Sequence, residues 1–223
     1  MTARNLLVIA PHADDEVLGA GGAMARWAAE GHAVTVAIVT RGTAPLYTEA
    51  GEALCRREAA AAHDLLGVRS TSYLEFPAGA LDQVPARDLN AGVLDLVRAC
   101  APDEVYLPFP GDLHVDHQRV FQAAMVACRP NRPGYPKGLY AYETLSETNW
   151  NAPYLSPGFL PNRYVDISGF LEVKLAAMAR YQTQLAPSPQ ERSLQALEAL
   201  AVLRGATVGL GAAEAFVTLR TIV

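Results

Sequence analysis

Only three of the 223 residues are cysteine (Cys55, Cys100 and Cys128), and no two of them form a Cys-x-x-Cys pair. That spacing argues against a thiolate zinc site. An odd number of thiols in alanine-rich stretches reads as reduced, buried cysteine rather than a disulfide framework. Positive charge is also scarce: 18 Lys and Arg against 23 Asp and Glu give a formal net charge of −5. The arginines are scattered without a basic stripe, so nothing attracts a nucleic-acid backbone. No apolar run is long enough to span a bilayer, and the first residues lack the basic n-region and long h-region of a secretory signal. The expectation is a soluble cytoplasmic protein. Hydrophobic residues make up 51% of the chain and charged ones 18%. A sizeable core is therefore available, and the length suits one α/β domain over residues 1–223.

Strand-like and helix-like segments alternate through the first 142 residues. Leu6–Ala10, Val34–Thr40, Thr71–Leu74, Val105–Leu107 and Gly138–Tyr142 read as strands. Helices are expected over Val17–Glu30, Glu49–Leu66, Arg87–Ala101 and His117–Cys128. This rhythm predicts a Rossmann-like, mostly parallel sheet with helices on both faces and right-handed crossovers. Residues 129–162 are rich in Pro, Gly and Asn, the composition of a long loop that walls or covers a site. Beyond it, a strand over Tyr164–Ile167 and helices over Glu172–Gln182 and Pro189–Leu203 are expected. Phe216–Val223 could be helix or short strand. The core therefore spans about 5–145, and 146–223 reads as loop and helical elaboration.

Two polar clusters fall where strands end. Pro11-His12-Ala13-Asp14-Asp15-Glu16 follows the first strand, and Asp112-Leu113-His114-Val115-Asp116-His117 follows the fourth. Carboxylates that close repel one another and lose solvation, and a cation is the simplest compensation. His12 and Asp15, three residues apart at a strand-to-helix junction, can converge on one point above the sheet edge. His117 supplies a third ligand from the second loop. Two histidines and one aspartate suit Zn²⁺, or another first-row divalent ion, and leave positions open for water and substrate. Asp14 is placed to accept a proton from water as general base. His114 can stabilise an oxyanion or assist a leaving amine. Asp116 could hold an imidazole by its second nitrogen, or equally cap the following helix. Singly, each residue could be an ordinary loop histidine or helix cap; the set of them together argues for a site. His32 and His63 read as structural. Gly19, Gly21 and Gly22 are not spaced as Gly-x-Gly-x-x-Gly, and they read as packing the first helix on the sheet.

At these residues the chain resembles the PIG-L/LmbE-like family of zinc-dependent de-N-acetylases. The family carries a (P/A)-H-(P/A)-D-D-E motif, here 11–16, and an H-x-D-H motif, here His114-Val115-Asp116-His117. The resemblance implies His12, Asp15 and His117 as zinc ligands, Asp14 as general base, and His114 as the group assisting the oxyanion or the leaving amine. It also implies an N-acetylglucosamine-type substrate, a small amino sugar that is free or conjugated; relatives include homo-oligomers. Family members usually have proline at positions 13 and 115, where this chain has Ala13 and Val115. Many relatives have Thr-Asp-Gly where this chain has Thr40-Arg41-Gly42. The arginine expected to grip sugar hydroxyls falls on Cys55, and Arg56 is the candidate substitute, with Arg57 beside it.

The reaction this reading predicts is hydrolysis of an N-acetyl amide by metal-activated water, with Asp14 as base. The aromatics of 135–159 could stack on sugar faces or pack beneath the loop. An amidase acting on a thiol-sugar conjugate or an antibiotic would use the same ligands. A non-hydrolytic nucleotide-binding Rossmann protein is the alternative from another class.

Overall fold

The computed structural model describes residues 2–131 and 133–223. In chain order it builds β1 (Asn5–Ala10), α1 (Asp15–Ala29), β2 (Ala33–Arg41), α2 (Glu49–Leu66), β3 (Ser70–Pro77) and α3 (Ala86–Cys100). It continues with β4 (Glu104–Pro108), α4 (Val115–Ala127), β5 (Gly138–Tyr142), β6 (Arg163–Asp166), α5 (Leu171–Met178), α6 (Leu194–Ala206) and β7 (Ala213–Thr221). All seven strands form one sheet in the order β3-β2-β1-β4-β5-β7-β6. The first five are mutually parallel, while β7 runs antiparallel to both β5 and β6.

Side chains alternate between the two faces of each strand, and the core divides accordingly. Leu6, Val8, Val36 and Tyr106 pack beneath α1, α2, α5 and α6. Leu7, Ile9, Val39 and Leu107 pack beneath α3 and α4. Strands covered on both faces must be apolar at nearly every position, which is why β1 and β4 are short, almost uninterrupted hydrophobic runs. Among the described residues no helix is long and apolar enough to cross a membrane.

The sheet order has a direct consequence for the site. Chain progression runs outward from β1 to β2 and β3 on one side, then returns to place β4 on the other. The carboxyl ends of β1 and β4 therefore flank the point where the winding reverses, the crevice in which open α/β sheets hold ligands.

Several elements differ from the sequence expectation. α1 starts at Asp15, two residues early, with Asp14 in the N-cap position but without a side-chain cap. α4 starts at Val115 because His114 caps it: its imidazole Nδ1 accepts the Asp116 N–H at 3.1 Å. α5 stops at Met178, short of Gln182. α6 begins only at Leu194, where Ser193 accepts the Ala196 N–H through its hydroxyl at 3.2 Å. The segment before it is a loop closed by the Ala186 N–H to Arg192 carbonyl bond at 3.0 Å. β7 is a nine-residue strand rather than a short one. Residues 146–223 thus extend the sheet as well as adding loops and helices.

Candidate metal centre

The loop leaving β1 is fixed before any ligand is considered. Thr40, at the end of the neighbouring β2, donates its N–H (3.1 Å) and its hydroxyl (2.7 Å) to the Pro11 carbonyl. The His12 N–H donates to Asp15 Oδ2 at 2.9 Å, closing the turn. From this turn His12 Nδ1 lies 3.3 Å from Asp15 Oδ2, and His117 Nε2, arriving on α4, lies 3.2 Å from the same oxygen. One donor atom from each of His12, Asp15 and His117 falls within 4.8 Å of the other two. The donor set expected from the two motifs therefore assembles across β1 and β4. His12, His114 and Asp116 also bring donor atoms together at that spacing, but there His12 Nε2 and Asp116 Oδ2 already bond each other at 2.9 Å.

Each imidazole of the donor set is held from behind by a carboxylate. Asp116 Oδ2 takes His12 Nε2, and Asp112 Oδ2 takes His117 Nδ1 at 2.8 Å. Such partners fix ring orientation, leave the opposite nitrogen free to donate its lone pair, and raise its basicity. Asp116 is itself anchored by the Gly79 and Leu81 N–H groups at 2.7 and 3.1 Å. Asp112 accepts the Thr148 hydroxyl at 2.6 Å. Of the two roles left open for Asp116, the structure therefore gives it the imidazole and gives the helix cap to His114.

The residues fit a divalent ion on the chemistry of their unmet needs. Asp15 Oδ1 and His117 Nε2 are buried without hydrogen-bond partners among the described residues. Burial opposes charging of His117, but Asp15 and Asp112 outweigh it and lift its pKa to about 10. Burial likewise opposes charging of His12, whose pKa Asp116 and Asp15 lift to about 9. The site thus carries an excess of negative charge that attracts protons when no metal balances it, and a divalent cation would replace those protons.

Asp14 stands beside this set, buried, at φ 126°, a conformation that costs a non-glycine residue energy. Its N–H donates to Glu16 Oε2 at 3.1 Å, and Glu16 is gripped by the Tyr181 hydroxyl and by His63 Nε2 at 3.2 Å. Burial pushes the Asp14 carboxyl up to about 8, with Arg192 pulling against it and Asp15 and Glu16 adding to it. Arg192 donates from Nη1 to Asp14 Oδ2 at 2.7 Å and from Nε to the Ser146 hydroxyl at 2.9 Å. Sequence reasoning misses Arg192; Ser193 as a helix cap is the available signal that this arginine sits in a loop. His114 is half-buried, its ring 4.7 Å from that of His12. Its pKa is lowered by burial and by the neighbouring His12. Because Nδ1 accepts a backbone N–H, the neutral ring carries its proton on Nε2.

Arg56 is placed on α2, where it bonds Glu52 at 2.7 Å and Glu75 at 2.6 Å and stacks over Tyr73 at 4.4 Å. The neighbouring Cys55 thiol is pushed up to about 12 by burial and then by the charge of Asp14. A polar hollow of about 600 Å³ opens at the opposite end of the parallel strands, beside Arg4, Glu104 and Arg163. It is remote from this chemistry, and those three side chains are engaged in ion pairs.

A Rossmann-like sheet bearing two histidines and an aspartate at its switch point defines a class: α/β proteins able to hold one divalent ion with a spare buried acid beside it. The chain belongs to the PIG-L family, whose model, described as GlcNAc-PI de-N-acetylase, matches residues 7–128 and so includes both motif loops. It is 30% identical over 186 residues to the uncharacterized deacetylase YaiS of Escherichia coli (strain K12), covering 81% of this chain and 91% of that protein. Diacetylchitobiose deacetylase of Thermococcus kodakarensis is 27% identical over 199 residues, covering 81% of this chain and 70% of that one. Among solved structures, the conserved protein TT1542 from Thermus thermophilus superimposes with a TM-score of 0.81 at 28% identity, covering 99% of this chain and 96% of that chain.

Proposed function

We propose that this protein is a zinc-dependent hydrolase that removes the acetyl group from an N-acetylglucosamine-type amino sugar or its conjugate. The observation carrying this reading is the His12–Asp15–His117 donor set with Asp14 buried alongside, in a chain whose relatives are named as deacetylases. Zinc held by those three residues supplies Lewis acidity toward the acetyl carbonyl and eases ionisation of water.

The remaining chemistry belongs to the chain's own side chains. With a cation in the adjacent donor set and Arg192 favouring its charged form, Asp14 is ionised and accepts a proton from the water that attacks the acetyl carbon, while Arg192 and the Glu16 contact hold it in position. The His114 Nε2–H is available to donate to the carbonyl oxygen as that oxygen gains charge. The C–N bond then breaks with its electron pair on nitrogen, and the proton held by Asp14 passes to the departing amine. Acetate and a free amino sugar are the products. The glycines that a dinucleotide site would need are packed against protein: a Cβ at Gly19 would meet the Tyr142 ring at 2.2 Å, and one at Gly22 would meet Ile167 at 2.8 Å.

The test is amine release from a panel of N-acetylated sugars, with zinc added and with the metal chelated. Asp14→Asn should keep its zinc and lose turnover by about 100-fold or more; undiminished turnover would remove Asp14 as the base. His114→Ala should lower kcat by about 100-fold with little change in KM. Loss of zinc in that variant would make His114 a ligand instead.

A further inference from the structure

Behind the proposed base lies a buried polar network that the chemistry above touches only at its edge, through Glu16. Glu16 on α1, His63 on α2 and Tyr181 in the turn after α5 are all buried. His63, which the sequence reads as structural, sits on the inner face of α2 with Ala59, Ala62 and Leu66. We propose that His63 and Tyr181 are positioning residues: acting through Glu16, they clamp the backbone of Asp14 in its unfavourable conformation and so aim its carboxylate. The inference deepens the deacetylase reading and rests on it for the role of Asp14 as base, but not for the clamp itself.

The backbone of Asp14 is where the clamp acts. A non-glycine residue at φ 126° stays there only where its surroundings over-determine it. Its carbonyl is pinned by α1, accepting the Val17 and Leu18 N–H groups at 3.0 and 2.9 Å. Its N–H is pinned on the other side by Glu16 Oε2 at 3.1 Å. The rotation between these two anchors sets the angle between the His12 turn and the start of α1. It therefore sets where the Asp14 carboxylate stands relative to His12.

Glu16 is in turn fixed from outside its own helix. Its Oε1 accepts the Tyr181 hydroxyl and lies 3.2 Å from His63 Nε2. A carboxylate only accepts, so Nε2 carries the proton, and in the neutral ring Nδ1 then accepts the Thr71 hydroxyl at 2.8 Å. These anchors lie 47 and 165 positions from Glu16 in the chain. An acid that merely caps a helix needs no such partners, whereas a satisfied buried network makes its members rigid. The turn at Tyr181 also opens the loop that delivers Arg192. The Gln184 and Leu185 N–H groups donate to the Tyr181 carbonyl at 3.0 and 3.1 Å, and Arg192 Nη1 reaches Asp14 Oδ2 at 2.7 Å. Residues 181–192 thus hold Asp14 twice, at its backbone through Glu16 and at its carboxylate through Arg192.

The experiment reads the clamp both with and without turnover. In the metal-free protein, amide hydrogen exchange followed by NMR should show the Asp14 N–H protected. Tyr181→Phe and His63→Leu should each speed its exchange by about tenfold or more while the β1 amides keep their rates. With zinc and an N-acetylated sugar, each variant should lower kcat by about tenfold with KM within about threefold. Zinc content should be unchanged. His63→Gln, whose amide N–H can replace Nε2–H, should return kcat to within about twofold of wild type. In an Asp14→Asn background the same substitutions should cost less than about twofold, because no base is left to aim. Thr71→Val, an isosteric change that frees the His63 ring, should lower kcat by about threefold and serves if His63→Leu misfolds. Loss of zinc, a full further loss in the Asp14→Asn background, or equal losses in His63→Gln and His63→Leu would overturn the proposal. So would a lowered denaturation midpoint with kcat and Asp14 exchange unchanged. If Asp14→Asn keeps full turnover while the Asp14 amide still loosens in both variants, the base reading fails and the backbone clamp stands.

Discussion

Asp112 illustrates how much of a candidate metal site lies behind the donor atoms themselves. Its carboxylate sits 2.8 Å from His117 Nδ1, fully buried, with Thr148 donating to its other oxygen. In Asp112→Asn an amide oxygen can still accept from Nδ1–H, so ring orientation survives while the negative charge behind the ring is lost. Metal affinity should fall by about 10–100-fold with the fold intact. Competition against a graded series of chelators checks the affinity, and circular dichroism checks the fold. Unchanged affinity would mean that orientation alone is what the imidazole needs. At this scale the sequence is most legible where donors are crowded: His12, Asp14, Asp15, His114, Asp116 and His117 occupy two six-residue windows at strand ends. Arg192 is illegible because its partner Asp14 lies 178 positions away. Arginine in a loop has no local signature that distinguishes a buried ion pair from a solvated one.

At the scale of elements, α1 decides where the proposed base stands, since Asp14 and Asp15 open it. Its mid-section is seated tightly. Gly19 lies against the ring of Tyr142, which is fully buried on β5 and donates its hydroxyl to the Ile9 carbonyl at 2.9 Å. Two turns of the same helix are also tapped by a buried ion pair. Glu214 of β7 accepts the Gly22 and Ala23 N–H groups at 2.9 and 2.7 Å, and Lys174 of α5 bonds both Glu214 and the Leu18 carbonyl. Glycine is usually a weak choice in a helix interior, so Gly19→Ala would gain about 1 kcal/mol from propensity alone. Here the added Cβ would fall 2.2 Å from Tyr142 Cδ2. Overpacking of that kind costs about 1–3 kcal/mol, and the Tyr142 hydrogen bond is strained as well. Gly19→Ala should therefore be net destabilising, with a lower denaturation midpoint and reduced turnover. A higher midpoint would show that Tyr142 can step aside.

Glycines 19, 21 and 22 are legible as packing residues because their spacing rules out a phosphate loop. The strong strands are legible for a related reason: burial on both faces demands unbroken apolar runs. Boundaries set by partners distant in sequence are not. Proline favours a helix's first turn, which points to Pro189 as the start of α6, whereas Ser193 makes the actual cap. β7 gives only a weak strand signal because an antiparallel strand that buries mainly its first four residues carries a mixed pattern.

At the scale of the whole molecule, the candidate site couples two halves of a sheet that the chain visits about a hundred residues apart: His12 and the Asp116 carboxylate that holds its ring are 104 positions apart. A ligand that binds only the folded arrangement stabilises it by mass action. At a free concentration one hundred times its dissociation constant the gain is about 2.7 kcal/mol. For a chain of 223 residues, each kcal/mol moves the midpoint of thermal unfolding by about 2–4 °C. Zinc should therefore raise Tm by about 5–10 °C, and a chelator should reverse the change. His117→Ala should show little of this shift, because it removes a ligand. Asp14→Asn should retain it, because Asp14 only adjoins the proposed donor set. Differential scanning calorimetry of the three proteins, each chelated and then reloaded, makes the comparison. The contrast between the two variants is the informative quantity, since general weakening of the fold would lower both baselines without separating their responses to metal. A zinc shift that persists in His117→Ala, or one that vanishes in Asp14→Asn, would assign the donor set to other residues.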